Sequence, residues 1–180
     1  MNKIRQSCQE MTHINCIANT GILLAISIVL GNFSISVGNY IRVSFYILPQ
    51  QVICYLYGPV TGILFGILSD ILRFIIKPSG PFFPGFTISS MLYGIIYGFF
   101  LYKSKLTYKK LIISNLLSSI CINMLLNTYW LSVLYVQSYS VLLPVRILKE
   151  LLILPIEILI SIFVFKHIKR FYKNRNSVIP

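Results

Sequence analysis

Long apolar runs, separated by short polar or Pro/Gly-rich stretches, set the pattern of this chain. The first run, Ile14 to Gly31, follows a basic start and has the outline of a signal peptide. No A-x-A-like cleavage site follows it, so a retained helix is expected. From Asn32 to Arg42 the helical period is lost: Ser34-Ile35-Ser36-Val37 alternates and Gly38-Asn39 signals a turn, which predicts an outside loop that could form a short hairpin. Phe45 to Tyr57 is apolar but only about thirteen residues long, against roughly twenty for a full span, and it contains Gln50 and Gln51. Gly58-Pro59 marks a tight turn, and Val60 to Ile76 reads as a complete span. Lys77 to Gly85, the densest Pro/Gly stretch, is a loop. Phe86 to Tyr102, Leu111 to Tyr135 and Val141 to Phe165 complete the series, the last with a bend expected at Pro155.

Charge decides the short segment. Basic residues gather in three places: Lys3 and Arg5; Lys103, Lys105, Lys109 and Lys110; and Lys166, Lys169, Arg170, Lys173 and Arg175. Loops rich in Lys and Arg stay on the cytoplasmic side of a membrane. Only if Phe45–Tyr57 crosses do all three clusters share one side. The expected fold is therefore an all-α integral membrane protein, six transmembrane helices in a compact bundle. It forms a single domain over residues 1–180, multi-pass in the cell membrane, with both termini cytoplasmic.

Composition agrees with a lipid environment. Hydrophobic residues make up 56% of the 180 and charged residues 11%, where soluble domains hold roughly 45–50% and about 25%. The mean hydropathy is +0.78. Too little polar surface is present to coat a water-soluble core, which excludes a cytosolic enzyme, a secreted disulfide scaffold and a disordered chain. The net charge of +12 would suggest nucleic acid in a soluble protein. Here the clusters are interrupted by apolar runs, and the positive-inside reading fits better. Cys8, Cys16, Cys54 and Cys121 show no CxxC spacing, and neither His13 nor His167 completes a metal site. No cofactor is expected.

Ionisable residues inside a membrane are costly and have either a partner or a role. Asp70 and Arg73 fall in the outer half of the third span, and Arg146, Lys149, Glu150 and Glu157 in the sixth. Internal pairs Asp70–Arg73 (i, i+3) and Arg146–Glu150 (i, i+4) are both within reach. They still leave positive charge over, with Arg42 and Lys77, on the side where the positive-inside rule disfavours it. That excess suggests an anionic ligand arriving from outside. Tyr129, Trp130, Tyr135 and Tyr139 suit an interfacial aromatic belt, whereas Phe82, Phe83 and Phe86, in or beside a Pro/Gly loop, could line or cover a pocket. Small residues form rows at Gly21/Ala25 with Ala18 nearby, at Gly58/Gly62/Gly66, and at Gly94/Gly98. Such rows let helices approach closely, within the chain or against another membrane protein. GxxxxGK[ST], HExxH and GxSxG motifs are absent, and no histidine within a span could serve a serine as base. An enzyme reading has little support.

Phe83-Pro84-Gly85-Phe86-Thr87-Ile88-Ser89, followed by Gly94-Ile95-Ile96-Tyr97-Gly98, resembles the FPGFT-[LI]-S…GxxYG segment of the substrate-binding (S) components of energy-coupling-factor (ECF) vitamin transporters. The resemblance extends through residues 25–30, Leu48-Pro49 with Gly58-Pro59, the Gly66-x-x-Ser69-Asp70 stretch, and Pro155-Ile156-Glu157. Asn127-Thr128-x-Trp130 and Arg146-x-x-Lys149 point towards the folate-specific family. It implies a six-helix protein that binds a vitamin at the outer face, under the loop between the first two helices. It also implies a transmembrane coupling subunit and two ATPase subunits as partners, and toppling in the membrane to release the cargo. The family's first-helix AxxxA docking motif corresponds here to Gly21-x-x-x-Ala25, with Ala18 nearby. The ligand-binding set expected is Asp70, Arg73, Phe82, Phe86, Thr87, Asn127, Trp130, Arg146 and Lys149. Folate would place two tail carboxylates on Arg and Lys, flat rings on aromatic walls, and adjacent pterin N–H donors on a carboxylate such as Asp70. An S component for another vitamin is the nearest alternative, and a non-transporting membrane scaffold comes from a different class.

Overall fold

The structure, a computed structural model, describes residues 3–33, 35–37, 41–43, 45–78, 80–104 and 107–176, with side chains for all of these except 3, 35–37, 41–43 and 170–176. The expected turn at Gly38-Asn39 and Lys105 lie outside the described residues, as do the side chains of Lys3, Arg42, Arg170, Lys173 and Arg175.

A short helix not anticipated from the sequence, α1 (Lys3–Met11), precedes the first long helix α2 (Ile14–Asn32). The loop after α2 is a hairpin, β1 (Ile35–Val37) pairing antiparallel with β2 (Ile41–Val43) in the register Ile35↔Val43. Then come α3 (Ile47–Tyr57), α4 (Pro59–Ile76) and α5 (Pro84–Leu101). Gly58 joins α3 to α4 at φ +88°, a conformation that glycine adopts without strain. Pro59 and Pro84 each open a helix, where the missing N–H costs nothing. The fifth apolar run is not one regular helix: α6 (Tyr108–Ser118) and α7 (Asn127–Tyr135) are joined by a π-helical segment, Ser119–Leu126. The last helix, α8 (Tyr139–Asn176), continues well beyond Phe165 and holds both Pro144 and Pro155.

Among the described residues, four helical stretches are long and apolar enough to cross a membrane: Ile14–Asn32, Pro59–Ile76, Pro84–Leu101 and Tyr108–Tyr135. The sequence count of six helices is not reproduced by this measure. At 11 residues, α3 rises only about 16 Å, whereas α8 is long but carries charges along its first half. α3 is nonetheless central, with Ile53 and Cys54 fully buried.

The glycine rows of α4 and α5 interlock. A Cβ on Gly94 would stand 2.4 Å from the Gly62 carbonyl carbon, and one on Gly98 would stand 2.3 Å from Pro59 Cα. Only glycine permits this approach, and in lipid such contact replaces the hydrophobic force that drives packing in water. Around it, buried polar side chains tie four helices together. Gln51 Nε2 donates to Asn115 Oδ1 (2.8 Å), Ser161 Oγ donates to Gln51 Oε1 (2.9 Å), and Tyr97 Oη reaches Asn115 Oδ1 (3.2 Å) and Ser118 Oγ (2.8 Å).

Three contacts gather one end of the bundle. Ser7 Oγ on α1 donates to the Tyr57 carbonyl at 2.6 Å, Glu10 pairs with Lys103 at 3.0 Å, and Phe165 packs edge-on against Tyr55 at 5.6 Å. The N-terminal helix, Lys103 just after α5 and the C-terminal part of α8 thus lie at the same end.

Candidate functional site

At the opposite end, the C-termini of α2 and α4, the N-termini of α5 and α8, and the π segment with α7 enclose a cavity of about 260 Å³. Its charge is lopsided: Arg73, Lys77, Arg146 and Lys149 face Asp70 and Glu157. Phe74, Phe82, Phe83 and Phe86 supply an aromatic wall.

Local sequence explains how these groups are held. Arg73 lies one turn after Asp70 on α4 and pairs with it, Nη2 to Oδ1, at 3.4 Å. Its Nε donates to the Ser69 carbonyl at 2.9 Å, and its guanidinium lies 3.5 Å from the Tyr46 ring centroid. The side chain crosses Gly31, where a Cβ would stand 2.8 Å from Arg73 Cδ. The other oxygen of Asp70 accepts from Thr87 Oγ1 at 2.8 Å. Lys77 Nζ donates to the Asn32 carbonyl at 3.2 Å, joining the ends of α4 and α2 at the rim. On α8, Glu150 accepts from Ser119 Oγ at 2.7 Å and meets Lys149 Nζ at 3.3 Å.

The Pro/Gly loop shapes the aromatic wall. Phe82 packs on Phe74 at 5.1 Å, and Phe83 lies between Phe86 (6.1 Å) and Trp130 (5.6 Å). Gly85 makes room for this arrangement, since a Cβ there would stand 2.5 Å from both Trp130 Cδ2 and Phe83 Cε1. Beneath, Tyr93 donates to Asn123 Oδ1, which also accepts from Asn127 Nδ2 at 3.2 Å.

Of the nine ligand-binding residues expected from the sequence, the structure brings seven to the cavity: Asp70, Arg73, Phe82, Phe86, Asn127, Arg146 and Lys149. Thr87 and Trp130 are not on its surface. Thr87 acts on Asp70, and Trp130 stands behind Phe83. Sequence reading missed Tyr46, Tyr93 and Asn123, which also line it. Asn123 carried a weak signal, four residues before Asn127, but a π turn sets their relation and no periodicity announces one. Ala18, Gly21 and Ala25 are not on the cavity surface and are exposed on α2. A Cβ on Gly21 meets nothing within 4 Å. Among the described residues no three of His, Cys, Asp and Glu come together to hold a metal.

Comparison with known proteins gives this arrangement a context. A family model described as "ECF transporter, substrate-specific component" matches residues 15–168. The chain is 29% identical over 160 residues to the folate transporter FolT of Clostridium novyi (strain NT), spanning 89% of this chain and 93% of that one. It is 28% identical over 152 residues to FolT of Leuconostoc mesenteroides, with 81% and 82% covered. A solved structure described as the crystal structure of FolT bound with folic acid superposes with a TM-score of 0.78 at 28% identity, covering 84% of this chain and 93% of that chain. The S component of a bacterial ECF transporter shares the fold alone, with a TM-score of 0.65 at 20% identity over 88% of this chain and 98% of that one. The chain thus belongs to the family of substrate-specific components of ECF transporters.

Proposed function

We propose that the protein is the folate-binding subunit of an ATP-driven importer. The carrying observation is the cavity itself, which joins an excess of cations to an aromatic wall at the end opposite the basic clusters. A folate-class ligand needs both: cations such as Arg146 and Lys149 for its two tail carboxylates, and aromatic walls such as Phe82, Phe86 and Phe83, backed by Trp130, for its flat rings. Asp70, fixed by Arg73 and Thr87, keeps lone pairs to accept the pterin N–H donors. The similarity to FolT proteins in sequence and to a folic-acid-bound FolT in structure supports the same reading.

On this reading the chain is one domain with six spans, α3 and α8 joining the four long apolar stretches, and both termini are cytoplasmic. The collection of basic residues at one end supports that orientation through the positive-inside rule. Energy comes from two ATPase subunits through a transmembrane coupling subunit, and it is the coupling subunit that docks on the exposed face at Ala18, Gly21 and Ala25. Calorimetry of the detergent-purified protein with folic acid tests the ligand, and saturable one-to-one binding is expected. A co-purifying vitamin lacking pterin absorbance would replace folate by that vitamin. No saturable binding of any small molecule would favour a membrane scaffold.

A further inference from the structure

Glu150 is an acid in a place where an anion-binding site would be expected to exclude one. It is 4% exposed and lies on α8 against the π segment, behind the cavity surface rather than on it. Its two oxygens are used differently. Ser119 Oγ donates to Oε2 at 2.7 Å, and Lys149 Nζ meets Oε1 at 3.3 Å. Ser119 is buried and is the first residue of the π segment, where the helix widens. Lys149 lines the cavity.

A lysine stem is long and flexible, and holding its head in one place costs rotamer entropy. Glu150 meets that cost in advance, because its own position is fixed by a scaffold hydroxyl. An ammonium group carries three donors, so one spent on Glu150 leaves two for a ligand. We propose that Glu150, anchored by Ser119, is a positioning residue that holds Lys149 Nζ at the cavity for a ligand carboxylate. This rests on the folate-class reading of the ligand, and it assigns Glu150 a role beyond pairing with a neighbouring charge.

The proposal predicts a sign that simple electrostatics reverses. Removing a negative charge beside a cationic site should tighten an anion if Glu150 only lowers the local potential or competes for Lys149. If Glu150 positions Lys149, the same change should weaken binding. The probes are folic acid and its dimethyl ester, which keeps the rings and lacks the tail charges. Glu150→Gln retains only one acceptor oxygen, and Ser119→Ala removes the anchor. Each variant should bind folic acid roughly 10-fold more weakly, the scale of one charge-assisted hydrogen bond, and bind the ester within about 2-fold of wild type. Unchanged or tighter folic acid binding would overturn the positioning role, as would parallel weakening of both ligands, which marks a structural defect. If the wild-type protein binds neither ligand, the folate reading itself fails and takes this inference with it.

Discussion

Small residues on α2 and α5 have opposite surroundings, and that contrast gives a direct test of what each row is for. A Cβ on Gly21 meets no atom within 4 Å, and Ala18 and Ala25 are exposed beside it. A Cβ on Gly94 would stand 2.4 Å from the Gly62 carbonyl carbon and 2.6 Å from Ile63 N, against 3.4 Å for ordinary contact. Gly94→Ala therefore pushes α4 and α5 apart by about 1 Å, and backbone cannot rotate out of the way. Overpacking of this kind costs about 3 kcal/mol. Gly21→Leu with Ala25→Leu meets no such obstacle inside the chain, and its cost to the isolated protein should stay within about 0.5 kcal/mol. Against a partner helix the same leucines would hold the backbones apart, because association in lipid depends on close approach. The assay measures, side by side, thermal melting in detergent, folic acid binding, co-purification with the coupling subunit, and uptake by cells. Gly94→Ala should lose melting temperature and binding together. The double leucine variant should keep both and lose co-purification and uptake. Undiminished uptake in the leucine variant would refute the docking role of this face. Loss of its binding and stability would show that α2 packs internally after all.

Arg146→Ala and Asp70→Asn should each weaken folic acid binding by about 2–5 kcal/mol, roughly 30- to several-thousand-fold, since each removes a charge from a partly buried contact; calorimetry showing both within 2-fold of wild type, in folded protein, would remove them from the site. Gly85→Ala should destabilise the aromatic wall by about 1–3 kcal/mol, because its Cβ would stand 2.5 Å from Trp130 and Phe83, and tryptophan fluorescence should report the shift; an unaltered spectrum and melting point would contradict the packing described. A single cysteine at position 109, in a background free of Cys8, Cys16, Cys54 and Cys121, should be labelled by an impermeant reagent only from the cytoplasmic side, and labelling from outside would reverse the topology. Glu10→Gln should change the melting temperature little, because the Glu10–Lys103 pair is partly solvated and such pairs contribute about 0–1 kcal/mol.

Much of this protein is determined by one-dimensional pattern. Apolar runs bounded by Gly and Pro located α2, α4 and α5 to within two residues, because lipid solvent demands continuous helices and Pro/Gly punctuation ends them. The alternation at Ser34–Val37 located a strand of the hairpin for the same local reason. The charged residues within spans already singled out Asp70, Arg73, Arg146 and Lys149, since such residues are costly in a membrane without a partner or a role, and all four line the cavity. What sequence could not supply was how distant elements meet. The rows at Gly62 and Gly94 look like the row at Gly21 when read along the chain, and only tertiary packing shows that two of them close on each other while the third stays open. α1 is too short and polar for the apolar pattern to register, and it becomes legible only through Ser7 beneath Tyr57 and Glu10 beside Lys103. The π segment follows no heptad or 3.6-residue rule, so the pairing of Tyr93 with Asn123 and of Ser119 with Glu150 could not be read from spacing. Local chemistry fixes which residues are costly to bury, and three-dimensional packing fixes which partner makes that burial tolerable.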